Sequence, residues 1–312
     1  MSLLPATRLT VRFVYLLLAI AAIGSPARAD KLFLAWESSG DVSTMVWYDT
    51  ETSTSNTTVV SNQQGYMRGI SVDPAGRVYW SGDPVILDGY IRSANHNGSD
   101  VQTVATVPTG NAWVGPVTVD ATHGYLYYAA AIRLTDQWYG VVRTGLDGSN
   151  PLVITDTVTN RPVYDLAVDE AAGQVYMAYD GHSIYRCNLD GSGRQTVLTG
   201  LSNLRQLELD PAQGLMYLGG YPYISVAPMD GSVAPVTILD IHPRCMALSP
   251  TGSHLYFGEA YSPICRVKVD GTDMTEITRV YDPVALDVIP EPATLALLAL
   301  GGLAVIRQKS KT

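Results

Sequence analysis

The chain has 312 residues, 46% of them apolar, and a formal net charge of −9. That apolar content supports a sizeable core and excludes a disordered chain. The acidic balance excludes nucleic acid as a partner, because phosphate contacts need a Lys/Arg surface.

The first 29 residues have the layout of a signal peptide. Arg8 and Arg12 form a charged region, Phe13–Ile23 is an eleven-residue apolar run, and Ala27-Arg28-Ala29 is an A-x-A cleavage site. Export is expected, with Ala27 and Ala29 marking cleavage before Asp30.

Residues 30–289 repeat one unit. Its signature is an alternating strand ending in Asp, a short turn, and a second strand carrying Tyr. It reads Arg68–Asp73 with Tyr79-Trp80, Val117–Asp120 with Tyr127, Asp165–Asp169 with Tyr176, and Gln206–Asp210 with Tyr217. The fifth copy is Arg244–Ser249 with Tyr256, and a partial sixth is Pro283–Asp287. The turn positions 73, 120, 169, 210, 249 and 287 lie 47, 49, 41, 39 and 38 residues apart, the length of a four-stranded propeller blade.

A hairpin completes each copy. Asn97-Gly98, Asp147-Gly148, Asp190-Gly191, Asp230-Gly231 and Asp270-Gly271 are strong hairpin signals, since Asn, Asp and Gly tolerate positive φ. The sixth copy breaks off at Asp287, and its continuation lies at the other end. Lys31–Trp36 matches the strand after each turn, and Val46–Asp49 through Val60 matches the hairpin half. The spacing therefore predicts an all-β, six-bladed β-propeller of four-stranded antiparallel blades. Its last blade is closed by N-terminal strands plus the C-terminal strand, which removes free sheet edges at the seam. The Ser/Thr-rich stretch Thr50–Thr58 is expected to be a solvated hairpin loop.

Three cysteines form no framework. Cys245 and Cys265 fall on the first and third strands of one blade, roughly 9–10 Å apart. A disulfide needs Cα atoms within about 7 Å, so these two and Cys187 are expected to be free thiols.

Motifs that would name a reaction are missing: no G-x-S-x-G elbow, Walker loop or H-E-x-x-H occurs. His96, His123, His182, His242 and His254 are scattered singly and expected to be solvated. Asp73, Asp120, Asp169 and Asp210 recur at one repeat position, which makes them turn caps. No catalytic residue, metal ligand or cofactor is expected.

The working surface is expected where loops lead into the first strand of each blade. Five residues before each turn position sit Arg68, Gly115, Tyr164, Arg205, Arg244 and Asp282, with Tyr66, Trp113, Arg161 and Tyr281 nearby. Arg there can brace the ring through charge-assisted hydrogen bonds. It can also form, with the aromatic rings, a binding rim for an acidic glycan or a peptide. The loop Ala129–Tyr139 presents Trp138, and long loops with aromatic residues on a rigid scaffold favour binding.

At the C-terminus, Pro290-Glu291-Pro292 precedes the fourteen-residue apolar run Ala293–Ile306 and the basic Arg307, Lys309 and Lys311. As a helix that run is about 21 Å long, a thin span for a hydrocarbon core of about 30 Å. The basic end should stay cytoplasmic with the body outside.

This tail resembles the PEP-CTERM sorting signal of bacterial exported proteins, although its basic end lacks an arginine pair. The resemblance implies an exosortase-type processing enzyme as partner, with cleavage near Pro290, Glu291 and Pro292. It also implies release or attachment at the cell surface, in hosts that commonly make exopolysaccharide. Membrane contact is expected only through the segment 290–312.

The body resembles the YWTD-type six-bladed propeller, the class B repeat of the low-density lipoprotein receptor. The tetrapeptide is nowhere whole: it reads YWSG, YYAA, YMAY, YLGG and YFGE, with an acidic fourth residue only at Glu259. Arg at the strand starts matches that family's pattern. The expected function is a non-enzymatic exported scaffold that binds protein or polysaccharide. The alternative is a hydrolase, lactonase or lyase with a central Ca²⁺, an ion that wants six to eight oxygen ligands. The strand starts here supply mainly Arg, Gly and Tyr instead.

Overall fold

A computed structural model of the chain describes residues 30–290 apart from 39–41, 51–53, 65, 85–87, 109–112, 131–139, 157–161 and 281. The compact unit is Asp30–Ile289. Both expected terminal helices lie outside the described residues.

Among the described residues, twenty-four strands form six sheets of four. The closing blade holds β1 (Asp30–Ser38), β2 (Val42–Asp49) and β3 (Thr54–Gln64). Blade 1 is β4 (Tyr66–Asp73), β5 (Arg77–Asp83), β6 (Gly89–Asn95) and β7 (Gln102–Val107), and blade 2 is β8 (Val114–Asp120), β9 (Tyr125–Ala130), β10 (Gly140–Gly145) and β11 (Leu152–Asp156). Blade 3 is β12 (Val163–Asp169), β13 (Gln174–Tyr179), β14 (Ser183–Asn188) and β15 (Gln195–Leu198), and blade 4 is β16 (Gln206–Asp210), β17 (Leu215–Gly219), β18 (Ile224–Pro228) and β19 (Val236–Leu239). Blade 5 is β20 (Cys245–Leu248), β21 (His254–Gly258), β22 (Pro263–Lys268) and β23 (Thr275–Arg279). The last strand, β24 (Pro283–Pro290), pairs with β1, so the closing sheet reads β24-β1-β2-β3. The two ends of the propeller meet in one sheet. Six four-stranded blades stand as expected.

First strands pack side by side around the ring: β4 against β8, β8 against β12, β12 against β16, and β16 against β20. Between each pair of neighbouring blades lies one hydrophobic cluster. Phe33 and Met45 meet Ile70 and Val72 at the closing seam, and Tyr176 and Ile184 meet Leu207 and Met216 between blades 3 and 4. Strand alternation explains this arrangement, since each sheet presents apolar side chains on both faces and each face meets a different neighbour.

The repeat tyrosines belong to these seams. Tyr79, Tyr127, Tyr176, Tyr217 and Tyr256 are all buried, and their hydroxyls do not reach for water as half-buried strand tyrosines would. Tyr176 donates to the Met229 carbonyl of blade 4 at 3.4 Å, and Tyr256 to Asp30 Oδ2 of the closing blade at 2.8 Å. A buried phenol needs a partner, and here the next blade supplies it.

The hairpin glycines do a second job. Gly191 has φ +87°, and a Cβ there would fall 2.0 Å from the Ile154 carbonyl oxygen of the preceding blade. Gly98, Gly148 and Gly231 approach Val59, Val104 and Val197 in the same way, each at 2.0–2.1 Å. Positive φ is the local reason for glycine, and the tight seam is the tertiary one.

Two sequence expectations fail. Thr54–Thr58 is not hairpin loop: it forms the start of β3, with Asp49 opposite Thr54 and Val46 opposite Thr58. Its polarity suits an outermost strand. Asp287 is not a turn residue either. It lies within β24, where its Oδ2 accepts from the Val72 amide of blade 1 at 2.6 Å and its Oδ1 from Val288 at 2.7 Å.

The other turn positions are caps. Buried Asp73, Asp120, Asp169 and Asp210 accept from the amides of Ala75, His123, Ala172 and Gln213 at 2.8–3.2 Å. Ser249 does the same with its hydroxyl for Ser253 and His254. Cys187, Cys245 and Cys265 are free thiols.

Candidate functional site

First strands run in the same direction around the ring, so their starts share one face with the ends of the second strands. On that face the arginines expected at the rim each have a partner. The Arg68 guanidinium lies 5.2 Å from the centre of the Tyr66 ring and 3.6 Å from Asp83 Oδ2, at the end of β5. Arg205 of blade 4 stacks over Tyr164 of blade 3, 3.8 Å from the ring centre. Arg244 of blade 5 forms an ion pair with Asp282, just before β24.

The backbone repeats as well. The Arg205 and Arg244 amides donate to Gly219 and Gly258 at 2.8 and 2.7 Å, which fixes both side chains at equivalent places. Two of the three arginines thus reach a neighbouring blade, while Arg68 stays within its own. All three remain exposed, so pairing orients them without removing them from solvent. Such exposed pairs contribute only about 0–1 kcal/mol each to stability.

The remaining rim residues separate. Trp113 is half-buried, and its ring fills the space where a Cβ on Gly115 would sit. It packs against the cluster between blades 2 and 3. Arg161, Tyr281, Trp138, Glu291, Pro292, Ala27 and Ala29 lie outside the described residues, and Pro290 is the last residue of β24.

Two histidines are better held than a solvated turn residue. His96 is half-buried, its ring 5.0 Å from Phe33 and its Nε2 3.1 Å from the Asp73 carbonyl. His123 Nδ1 sits 2.9 Å from the buried Asp120 carboxylate.

Sequence reasoning missed three carboxylates on the first strands. Asp165, Glu208 and Asp287 are half-buried on these innermost strands, with protein packed closely around their carboxyl groups. Asp165 repeats the Asp287 arrangement: its Oδ2 accepts from the Leu207 amide of the next blade at 2.8 Å and its Oδ1 from Leu166 at 2.9 Å. Burial pushes Asp165 up to about 7 and Asp287 up to about 6, against the pull of those amides. Glu208 is pushed well above the usual carboxylate range, first by burial and then by the charges of Asp165 and Asp287. The signal was present in QLELD and VYDLAVD, where acids stand two and four residues before the turn, at positions that alternation turns inward. Among the described residues no three His, Cys, Asp or Glu side chains converge to hold a metal ion.

Residues 288–310 match the PEP-CTERM protein-sorting motif. The chain carries an export-sorting tail. A PEP-CTERM tail marks an exported protein sorted to the cell envelope or surface and processed by an exosortase-type enzyme. No curated protein matches the chain.

Among solved structures, the propeller is similar to a chain of a nidogen/laminin complex. The TM-score is 0.65 at 15% identity, over 83% of this chain and 98% of that one. TolB from Acinetobacter baumannii gives 0.67 at 13% identity, over 93% and 74%. A gluconolactonase from Xanthomonas campestris gives 0.58 at 15%, over 84% and 91%. At such identities the likeness carries the fold, and one fold hosts both binding proteins and enzymes.

Proposed function

We propose that the propeller, as mature residues 30–289, is a non-enzymatic binding scaffold for a protein or polysaccharide at the cell surface or in the extracellular matrix. The segment 290–312 sorts it and holds it at the envelope until or unless it is cut. The observation that carries this reading is the set of exposed, oriented arginines at 68, 205 and 244 on one face, two of them against tyrosine rings. Planar guanidinium groups held in place recognise carboxylates in two-pronged fashion, which suits an acidic polymer or peptide. The nidogen/laminin likeness is compatible with protein binding by such a ring.

The test is binding of the purified full chain to the host's own surface polymers and proteins. Alanine at Arg68, Arg205 and Arg244 should weaken it. Unchanged binding by a folded triple variant removes those residues from the site.

A second reading, a hydrolase, lactonase or lyase with a central Ca²⁺, is favoured by the axial carboxylates Asp165, Glu208 and Asp287 and by the gluconolactonase likeness. Against it, Asp165 and Asp287 each spend both oxygens on backbone amides. One stoichiometric Ca²⁺ in purified protein, found by metal analysis, would reverse the ranking.

A further inference from the structure

Blade 4 contains a cavity of about 270 Å³ between the segment 200–204, which leads in from blade 3, and the face of β17, β18 and β19. Leu218, Ser225 and Thr237 stand opposite one another on those three strands and form its wall. Ser225 is only 8% exposed. Among the described residues no protein group hydrogen-bonds its hydroxyl, which opens onto the cavity.

The repeat explains why the space exists. The third-strand residue opposite the one after each buried tyrosine is Arg92 in blade 1, Val142 in blade 2, Tyr185 in blade 3 and Cys265 in blade 5. Blade 4 alone among these five has the small, hydroxylated Ser225. Where blades 1, 2 and 3 place a larger side chain, blade 4 leaves a cavity.

We propose that this cavity is a binding site for one neutral pyranose residue of a polysaccharide. Three hydroxyls face it, from Ser202, Ser225 and Thr237, beside the apolar surface of Leu204, Leu218 and the 39% exposed Tyr223. A pyranose has the same division: C–H faces that pack on aromatic and aliphatic groups, and equatorial hydroxyls that both donate and accept. None of the lining side chains carries a charge, so an acidic sugar would lose its hydration without a counter-ion. The volume falls just below the ~300–1,000 Å³ of sites for drug-sized ligands, which suits a single ring. Ser202, Thr237 and Tyr223 are solvent-exposed, leaving room for the rest of the polymer to continue outside.

The inference deepens the binding reading by naming a ligand class, yet it uses none of the rim arginines, so the two fail separately. The probes are methyl glucoside, methyl galactoside, methyl mannoside and glucuronate. They are observed by saturation-transfer NMR on the full chain in a detergent without a sugar headgroup. At least one neutral glycoside should bind, and glucuronate should bind more weakly. Ser225→Val should weaken binding by about tenfold, the loss of one hydrogen bond together with the filled space. Val142 occupies the equivalent place in blade 2, so the fold accepts that side chain. Tyr223→Ala at the exposed mouth should weaken binding too. The proposal is overturned if no neutral glycoside binds, if glucuronate binds best, or if both pocket variants bind like the parent.

Discussion

The Val72 amide donates to Asp287 Oδ2 at 2.6 Å, joining residues 215 positions apart. This bond ties the last strand of the propeller to its first complete blade, at the seam where the chain's two ends meet. Asp165 makes the same bond to Leu207 half-way round the ring. Asp287→Ala leaves a deep amide unpaired and should cost about 1–3 kcal/mol. Asp287→Asn keeps an acceptor and should cost less than alanine at pH 8. Urea unfolding of the two variants checks the order; equal losses would remove the bond from the account.

Acid should stabilise this propeller down to about pH 5. Asp165 and Asp287 titrate near 7 and 6 in the fold, and Glu208 well above its usual value, all chiefly through burial. Groups raised by folding contribute stability that is full below their unfolded pKa and is lost as pH rises through the folded one. The exposed turn aspartates 147, 190, 230 and 270 are shifted the other way by their Ser or Thr partners and lose their contribution only as pH falls below the ordinary range. The urea midpoint should therefore be higher at pH 5 than at pH 8, and the Asp165→Asn, Asp287→Asn double variant should flatten that difference. A midpoint that rises from pH 5 to pH 8 would contradict the assignment.

Glycine at the hairpins is a seam requirement. Gly191→Ala places a Cβ against the Ile154 carbonyl at φ +87°, whereas Gly124→Ala, at φ +73°, meets nothing within 4 Å. The second change should cost only the ~1–2 kcal/mol of a left-handed alanine. The first should cost clearly more, because backbone on both sides must move. Paired melting curves decide it.

Burial pushes the Cys187 and Cys245 thiols up to about 11 and 12, and it also raises that of the half-buried Cys265. Thiolate is the reactive form, so the native protein should react slowly with a disulfide reagent at pH 8 and release three equivalents only when unfolded. A rapid native equivalent would show a thiol more open than its place in the fold.

Blade number, hairpins, turn caps and the sorting tail were legible in the sequence because each is written in local chemistry. Alternation sets a strand, Asn-Gly or Asp-Gly sets a hairpin, an aspartate caps the amide two or three residues on, and Pro-Glu-Pro before an apolar run marks the tail. Asp287 misled for the same reason: it ends a fragment that looks like the others, while its partner, Val72, lies in another blade. The acids at 165, 208 and 287, the seam role of the hairpin glycines and the unpartnered Ser225 hydroxyl were likewise out of reach. Each depends on which face of a strand meets which neighbour once the ring has closed, and that geometry brings together residues that no local pattern connects.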